Sequence, residues 1–284
     1  MNGRPRRPRK RFGQHFLAPE WAQKIVRAVA PAPGDVFLEI GPGTGALTLP
    51  LAATGAPILA IEIDRDLAAD LARRVPGNVT LMTADFLSTD VLPFLSGLEP
   101  QRPPDQTDRQ RPRRLRVVGN LPYNLSSPIM FRLIDLYRRH GVLADATLMV
   151  QREVADRLTA RPGTKAYGVL TVSAQLHTRI EKLLDLPPGA FRPPPKVRSS
   201  VVRLTFTPPA VRLVDEALFD RMVRALFGAR RKMLANALKQ FDPRGPDALA
   251  QSGIDGRRRP ETLHVEELAK LGELLAVLRR PAVL

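Results

Sequence analysis

Residues 36–48, Val36-Phe37-Leu38-Glu39-Ile40-Gly41-Pro42-Gly43-Thr44-Gly45-Ala46-Leu47-Thr48, pass from an apolar strand through three glycines into a helix start. A short apolar run closed by glycines and followed by helical spacing opens a β-α-β unit, which commits the chain to a parallel sheet. Gly41, Gly43 and Gly45 permit positive φ and let a ligand approach the backbone closely. A second strand, Ile58 to Asp64, brings Glu62 to a point about twenty positions after the first glycine, where a carboxylate accepts hydrogen bonds from a ribose diol. A third, Val79 to Ala84, delivers Asp85, placed to accept from an adenine amino group. Gly41-x-Gly43-x-x-Ala46 also satisfies the dinucleotide pattern, so this stretch alone does not separate NAD from another adenosine cofactor. Solvated acids at strand ends are the plainer reading of Glu62 and Asp85.

A further apolar run, Leu115 to Gly119, reads as a buried strand and ends in Asn120-Leu121-Pro122-Tyr123, ahead of the helix start Ser126-Ser127-Pro128. An amide side chain, a carbonyl held rigid before proline and an aromatic ring suit one task. The Asn120 oxygen and the Leu121 carbonyl accept from an exocyclic amino group while Tyr123 stacks on the heterocycle that carries it. Asn and Pro are also ordinary turn residues, so the tetrapeptide gains meaning from the glycine loop before it.

The formal charge of +16 and pI near 11.2 call for a polyanionic partner. The charge lies in blocks without acids: Arg4 to Arg11; Arg221, Arg224, Arg230, Arg231, Lys232 and Lys239 on one expected helix; and Arg257 to Arg259. Arginine from a GC-rich genome is the bland account, but it does not produce acid-free blocks. No stretch approaches the length of apolar residues needed to span a bilayer, and the N-terminus lacks the apolar region of a secretory signal, so a cytoplasmic protein without a membrane partner is expected. Zero Cys excludes disulfides and cysteine-ligated metal, and the 4 His have no paired spacing, so no metal site is expected.

The organisation that follows is α/β: a mostly parallel sheet plus a small C-terminal all-α domain. Residues 1–11 form a basic arm expected to be disordered without its polyanionic partner. Residues 12–207 form the sheet domain, and 208–284 a helical domain expected to bind nucleic acid, with Thr207-Pro208-Pro209 as the boundary. Between Gln101 and Arg116 there are six Arg against two Asp among many Pro and Gln, and a mobile insertion is expected at about 96–114. Ser199 to Phe206 is expected as an edge-side strand, and Asp215 to Phe241, Pro246 to Ser252 and Val265 to Leu278 as the helices of the second domain.

In this order and spacing the motifs resemble the KsgA family of small-subunit ribosomal RNA adenine dimethyltransferases over nearly the whole chain. Besides those above they are Arg11-Phe12-Gly13-Gln14-His15-Phe16-Leu17, Lys165-Ala166-Tyr167-Gly168, Phe191-Arg192-Pro193-Pro194-Pro195-Lys196-Val197-Arg198-Ser199 and Arg230-Arg231-Lys232-Met233-Leu234. The resemblance implies a Rossmann-like class I methyltransferase fold, S-adenosyl-L-methionine as cofactor, and dimethylation of two adjacent adenines near the 3′ end of the RNA. The implied partner is small-subunit rRNA in an immature 30S-type particle, met by a monomer. By the same resemblance His15, Leu17, Gly41, Gly43, Glu62, Asp85 and Asn120 bind the cofactor, and Asn120, Leu121, Pro122, Tyr123 and Phe191 hold the target base. Arg224, Arg231 and Lys232, spaced i, i+7 and i+8, are expected to hold RNA phosphates, with Met222, Leu226, Met233 and Ala237 on the buried side. The family usually has Asn where this chain has His15, and the 96–114 insertion is a second departure. An Erm-type methyltransferase of large-subunit RNA and a non-catalytic nucleic-acid-binding factor on the same fold remain as alternatives.

Overall fold

The computed structural model describes residues 15–95 and 115–280; the basic arm at 1–11 and the insertion at 96–114 lie outside the described residues. The described chain packs as two units: residues up to Ala155 with Arg179–Phe206, and Asp156–Thr178 with the chain from Thr207 onward.

The first unit opens with β1 (Phe16–Leu17) and α1 (Pro19–Val29), then alternates β2 (Val36–Ile40), α2 (Thr48–Ala52), β3 (Ile58–Glu62), α3 (Arg65–Ala72), β4 (Val79–Thr83) and α4 (Leu92–Leu95). After the insertion come β5 (Leu115–Asn120), α5 (Ser126–His140), β6 (Leu143–Gln151) and the start of α6 (Arg152–Leu158). The chain returns as β7 (Thr178–Leu186), β8 (Phe191–Arg192) and β9 (Ser199–Phe206). Seven strands form one sheet in the order β4-β3-β2-β5-β6-β9-β7, parallel from β4 to β6, with β9 antiparallel to β6. All five residues of β2 and of β3 are buried, as expected of parallel strands covered on both faces. Phe37, Leu51, Ile58, Val118, Met149 and Val201 belong to its core, each contributing roughly 1.5–3 kcal/mol by burial. Asp64 caps α3 by accepting from the backbone N–H of Asp66 at 3.0 Å.

The register positions the site. Ile40 pairs with Ile61 on one side and Gly119 on the other, and Asn120 pairs with Met149. Gly41, Glu62 and Asn120 therefore lie at one level of the sheet, at the carboxyl ends of three adjacent strands. Gly119 allows the close approach of β5 to β2, because a Cβ there would sit 2.8 Å from the Ile40 carbonyl oxygen.

Ser199–Phe206 is not the edge strand: β7, which the sequence reading missed, lies outside it. Its sequence, Thr-Arg-Ile-Glu-Lys-Leu-Leu-Asp-Leu, carries alternating charge on an edge with solvent at hand, and so lacks the apolar run that marks inner strands. The boundary at 207 also omits a segment. Residues 156–178, with α7 (Val169–His177), belong to the second unit because Tyr167, Val172 and Leu176 pack into its core.

The second unit continues with α8 (Glu216–Gly228), α9 (Leu234–Phe241), α10 (Gly245–Ser252) and α11 (Val265–Arg279). Phe219, Met222, Leu226, Leu238 and Leu268 fill its core, and the buried Tyr167 donates its hydroxyl to the Leu263 carbonyl at 2.9 Å. The single helix expected over 215–241 is two helices. Ala229 caps α8, and Met233, in extended conformation, precedes α9. The first N–H groups of α9 donate to the Arg258 and Gly256 carbonyls at 2.8 and 3.0 Å, which turns the chain between 229 and 233. Arg224 thus lies on α8 and the Arg231-Lys232 pair in the turn between α8 and α9, and the i, i+7, i+8 stripe does not exist. Met233, expected in the core, is 51% exposed.

Candidate active site

The carboxyl ends of β2, β3, β4 and β5 line a cleft with about 1210 Å³ of empty space, open to solvent. Open α/β sheets bind ligands at this edge. Gly41 and Gly43 have φ of 68° and 56°, values that L side chains rarely adopt, and their turn aims the Gly43 N–H at β3. There it donates to Glu62 Oε2 at 2.9 Å, while the Asp64 N–H donates to Oε1 at 2.9 Å. Burial raises the Glu62 carboxyl above its usual range, and these two backbone bonds oppose the rise. Asp85, exposed at the end of β4, accepts from the Leu87 N–H at 2.9 Å through one oxygen.

Glu39 also lines the cleft, and the sequence reading passed over it. It is 2% exposed in mid-strand, and its Oε2 is buried without a hydrogen-bond partner. Burial pushes its carboxyl up to about 7, helped by the neighbouring charge of Glu62. The signal was present: an acid inside Val-Phe-Leu-Glu-Ile is unexpected in a strand buried on both faces.

At the end of β5, Asn120 Nδ2 donates to the His15 carbonyl at 2.9 Å. That bond orients the amide: its nitrogen is engaged, and its oxygen is the end available to accept. The His15 ring stacks on Tyr123, with centroids 5.6 Å apart and planes 25° apart. Its Nδ1 lies 2.8 Å from the Pro193 carbonyl, which can only accept, so Nδ1 carries a proton. The Tyr123 hydroxyl is hydrogen-bonded to Ser199 Oγ at 2.9 Å, and burial raises its pKa. Leu121 is buried, with its N–H on the Met149 carbonyl at 3.1 Å, and the Pro122 carbonyl accepts from the Leu125 N–H at 2.9 Å.

His15, Leu17, Gly41, Gly43, Glu62, Asp85 and the turn from Asn120 to Tyr123 all line this one cleft. Phe191 does not. It pairs with Leu17 in the β1–β8 ribbon and is 2% exposed within the core, so the expectation that it covers the target base is corrected. An apolar residue in a two-stranded ribbon packed on the sheet gains more from burial than from facing a wet cleft. Arg224, Arg231 and Lys232 are exposed in the second unit. No group of His, Cys, Asp or Glu among the described residues is arranged to hold a metal ion. No helix among them is long and apolar enough to cross a membrane.

Among solved structures, the chain is similar to a dimethyladenosine transferase from Plasmodium falciparum, with a TM-score of 0.70 and 25% identity over 90% of this chain and 96% of that one. It is also similar to the 23S rRNA methyltransferase ErmE, with a TM-score of 0.63 and 26% identity over 92% and 99% of the two chains. The fold is the Rossmann-like class I methyltransferase fold. The protein from Nitrosococcus oceani named ribosomal RNA small subunit methyltransferase A is 44% identical over 95% of this chain and 97% of its own length. That of Aromatoleum aromaticum, with the same name, is 43% identical over 95% of each. The sequence model of the ribosomal RNA adenine dimethylase family matches residues 6–276. With the cleft, the oriented Asn120 amide and the stacked Tyr123 on the same sheet edge, the chain belongs to the ribosomal RNA adenine dimethylase family.

Proposed function

We propose that this protein dimethylates the exocyclic N6 of two adjacent adenines near the 3′ end of small-subunit ribosomal RNA, acting as a cytoplasmic monomer on an immature small-subunit particle. The enzyme is an S-adenosylmethionine-dependent rRNA adenine dimethyltransferase. The observation that carries the residue-level reading is the Asn120 amide, turned by the His15 carbonyl so that its oxygen is left to accept from the target amine.

The cleft suits the cofactor. Glu39 Oε2, buried and without a partner, is an acceptor that an ammonium group would satisfy. Glu62 accepts from a ribose diol, Asp85 from an adenine amino group, and Leu17 and Ile63 provide apolar walls. When bound, S-adenosylmethionine supplies an electrophilic methyl carbon on a sulfonium, and the protein's task is to position the amine against it. An adenine amine is a poor nucleophile because its lone pair is conjugated with the ring. Accepting both N–H hydrogens, at Asn120 Oδ1 and the Leu121 carbonyl, favours a pyramidal nitrogen. Pro122 holds that carbonyl and Tyr123 stacks on the base, which has been drawn out of its own stack. No side chain need act as general base, since the methylated nitrogen sheds its proton to water. Arg231 and Lys232, exposed in the second unit, are assigned to RNA phosphates, and Arg224 to a separate contact on α8.

The test is methyl transfer to under-methylated ribosomal subunits, with digestion and mass analysis of the RNA. Dimethyladenosine confined to the small subunit is expected. Methylation of large-subunit RNA would support the Erm-type alternative instead, and no transfer to either would overturn the reading.

A further inference from the structure

Residues 192–199, Arg192-Pro193-Pro194-Pro195-Lys196-Val197-Arg198-Ser199, form a hoop pinned at both ends to the groups assigned to the target base. At one end His15, stacked on Tyr123, donates from Nδ1 to the Pro193 carbonyl at 2.8 Å. At the other, Ser199 Oγ is hydrogen-bonded to the Tyr123 hydroxyl at 2.9 Å. A third pin comes from the Arg152 N–H, which donates to the Arg198 carbonyl at 3.0 Å. Three consecutive prolines restrict φ between the pins, so the hoop is stiff before any ligand arrives.

Its outward face is cationic. Arg192, Lys196 and Arg198 are exposed, and Val197 between the last two is 43% exposed. None of the three cations has a carboxylate partner among the described residues. Two other exposed arginines of this unit are neutralised by carboxylates: Arg73 pairs with Asp70, and Arg139 with Asp135. Three unpaired like charges within seven residues repel one another, and a polyanion relieves that repulsion.

We infer that this hoop is a docking rim for the phosphates of the RNA strand flanking the adenine that enters the cleft. The inference rests on the reaction proposed above. Arg198 adjoins the residue that holds the Tyr123 hydroxyl, and Lys196 is within about 11 Å of it along the chain, at roughly 3.5 Å per residue. A base drawn into the cleft leaves the phosphates on either side of it at the mouth, where these side chains stand. Phosphate contacts of this kind set register and orientation without reading sequence. Stiffness matters because a rim already held in place loses little conformational freedom when the strand arrives.

The test is the triple variant Arg192→Gln, Lys196→Gln, Arg198→Gln, assayed for methyl transfer to under-methylated small subunits over a range of salt. Asn120→Ala is run in parallel, and S-adenosylmethionine affinity is measured by calorimetry. KM for the particle should rise while cofactor affinity stays unchanged. The slope of log KM against log salt should flatten by about 2, because each phosphate neutralised on a single strand accounts for ~0.7 of that slope. Each single variant should flatten it by about a third as much, which keeps the test open if the triple variant folds poorly. An unchanged KM and slope beside a loss of transfer in Asn120→Ala would overturn the rim and leave the reaction standing. Wild-type transfer in both variants would overturn the two together.

Discussion

The two ends of the β2–β5–β6 sheet bury ionisable groups to a similar degree and treat them in opposite ways. At the amino ends of the strands, Arg116 is 7% exposed and every guanidinium nitrogen is bonded. Nε reaches Asp145 at 2.9 Å, one terminal nitrogen reaches Asp35 at 2.7 Å, and the other reaches the Val29 carbonyl at 2.7 Å. At the carboxyl ends, Glu39 and Glu62 are 2% and 5% exposed, and neither has a cation partner among the described residues. Glu62 is held by backbone N–H groups alone, and Glu39 keeps an oxygen with no partner. A buried charge must be paired or costs several kcal/mol, so the first end is complete as folded, whereas the second keeps an unsatisfied Glu39 oxygen.

Removing the cation should break the closed end first. Arg116→Met strands Asp35 and Asp145 without their partner and should cost about 3–5 kcal/mol in stability, read by urea unfolding. A loss below about 1 kcal/mol would mean that the network contributes little and the contrast fails. At the open end, Asn120→Ala should lower kcat for methyl transfer by roughly 10²–10³-fold, the scale of removing one preorganised hydrogen-bonding group, with unfolding unaffected. Wild-type turnover in that variant would remove the amide from the reaction.

Glu39→Gln sharpens the contrast through pH. Burial raises the Glu39 carboxyl from 4.5 to about 7, so the folded state holds this proton more tightly than the unfolded chain. The stability this contributes is present below pH 4.5 and is lost as pH rises to about 7. Relative to wild type, the neutral Gln variant should therefore gain on the order of 3 kcal/mol across that window and no more above it. Parallel stability curves would show that Glu39 titrates as in free solution. The smallest effect expected is that of Glu62→Ala, which should weaken S-adenosylmethionine binding by about 1–3 kcal/mol. Unchanged affinity by calorimetry would take Glu62 out of the cofactor site.

Most of the cleft was legible in the chain because its parts are local. A glycine turn after an apolar strand, an acid at the next strand end, and Asn-Leu-Pro-Tyr after a third each carry their meaning within a few residues. The parallel sheet follows from the same alternation of strand and helix. Sequence failed where the answer depended on what lay on the other side of a residue. The motif around Phe191 points to a ring facing a base, whereas its ribbon pairing with Leu17 turns it into the core. The Arg224–Lys232 stripe assumes a continuous helix, and the carbonyls of Gly256 and Arg258, about twenty residues on, break it by capping α9 instead.

By itself, then, the sequence determined the β-α-β order, the glycine turn, the strand-end acids and the turn from Asn120 to Tyr123, because backbone conformation and apolar periodicity are properties of neighbours along the chain. The tertiary structure alone decided that Glu39 is an unpaired acid in the cleft and Arg116 a paired cation at the far end. It also decided that His15 turns the Asn120 amide and that residues 156–178 belong with the helices. Those outcomes depend on burial and on partners tens to hundreds of residues away, as Arg116 with Asp35 and Asn120 with His15. Desolvation and pairing are set by what surrounds a group in space, and neither is encoded in its immediate sequence.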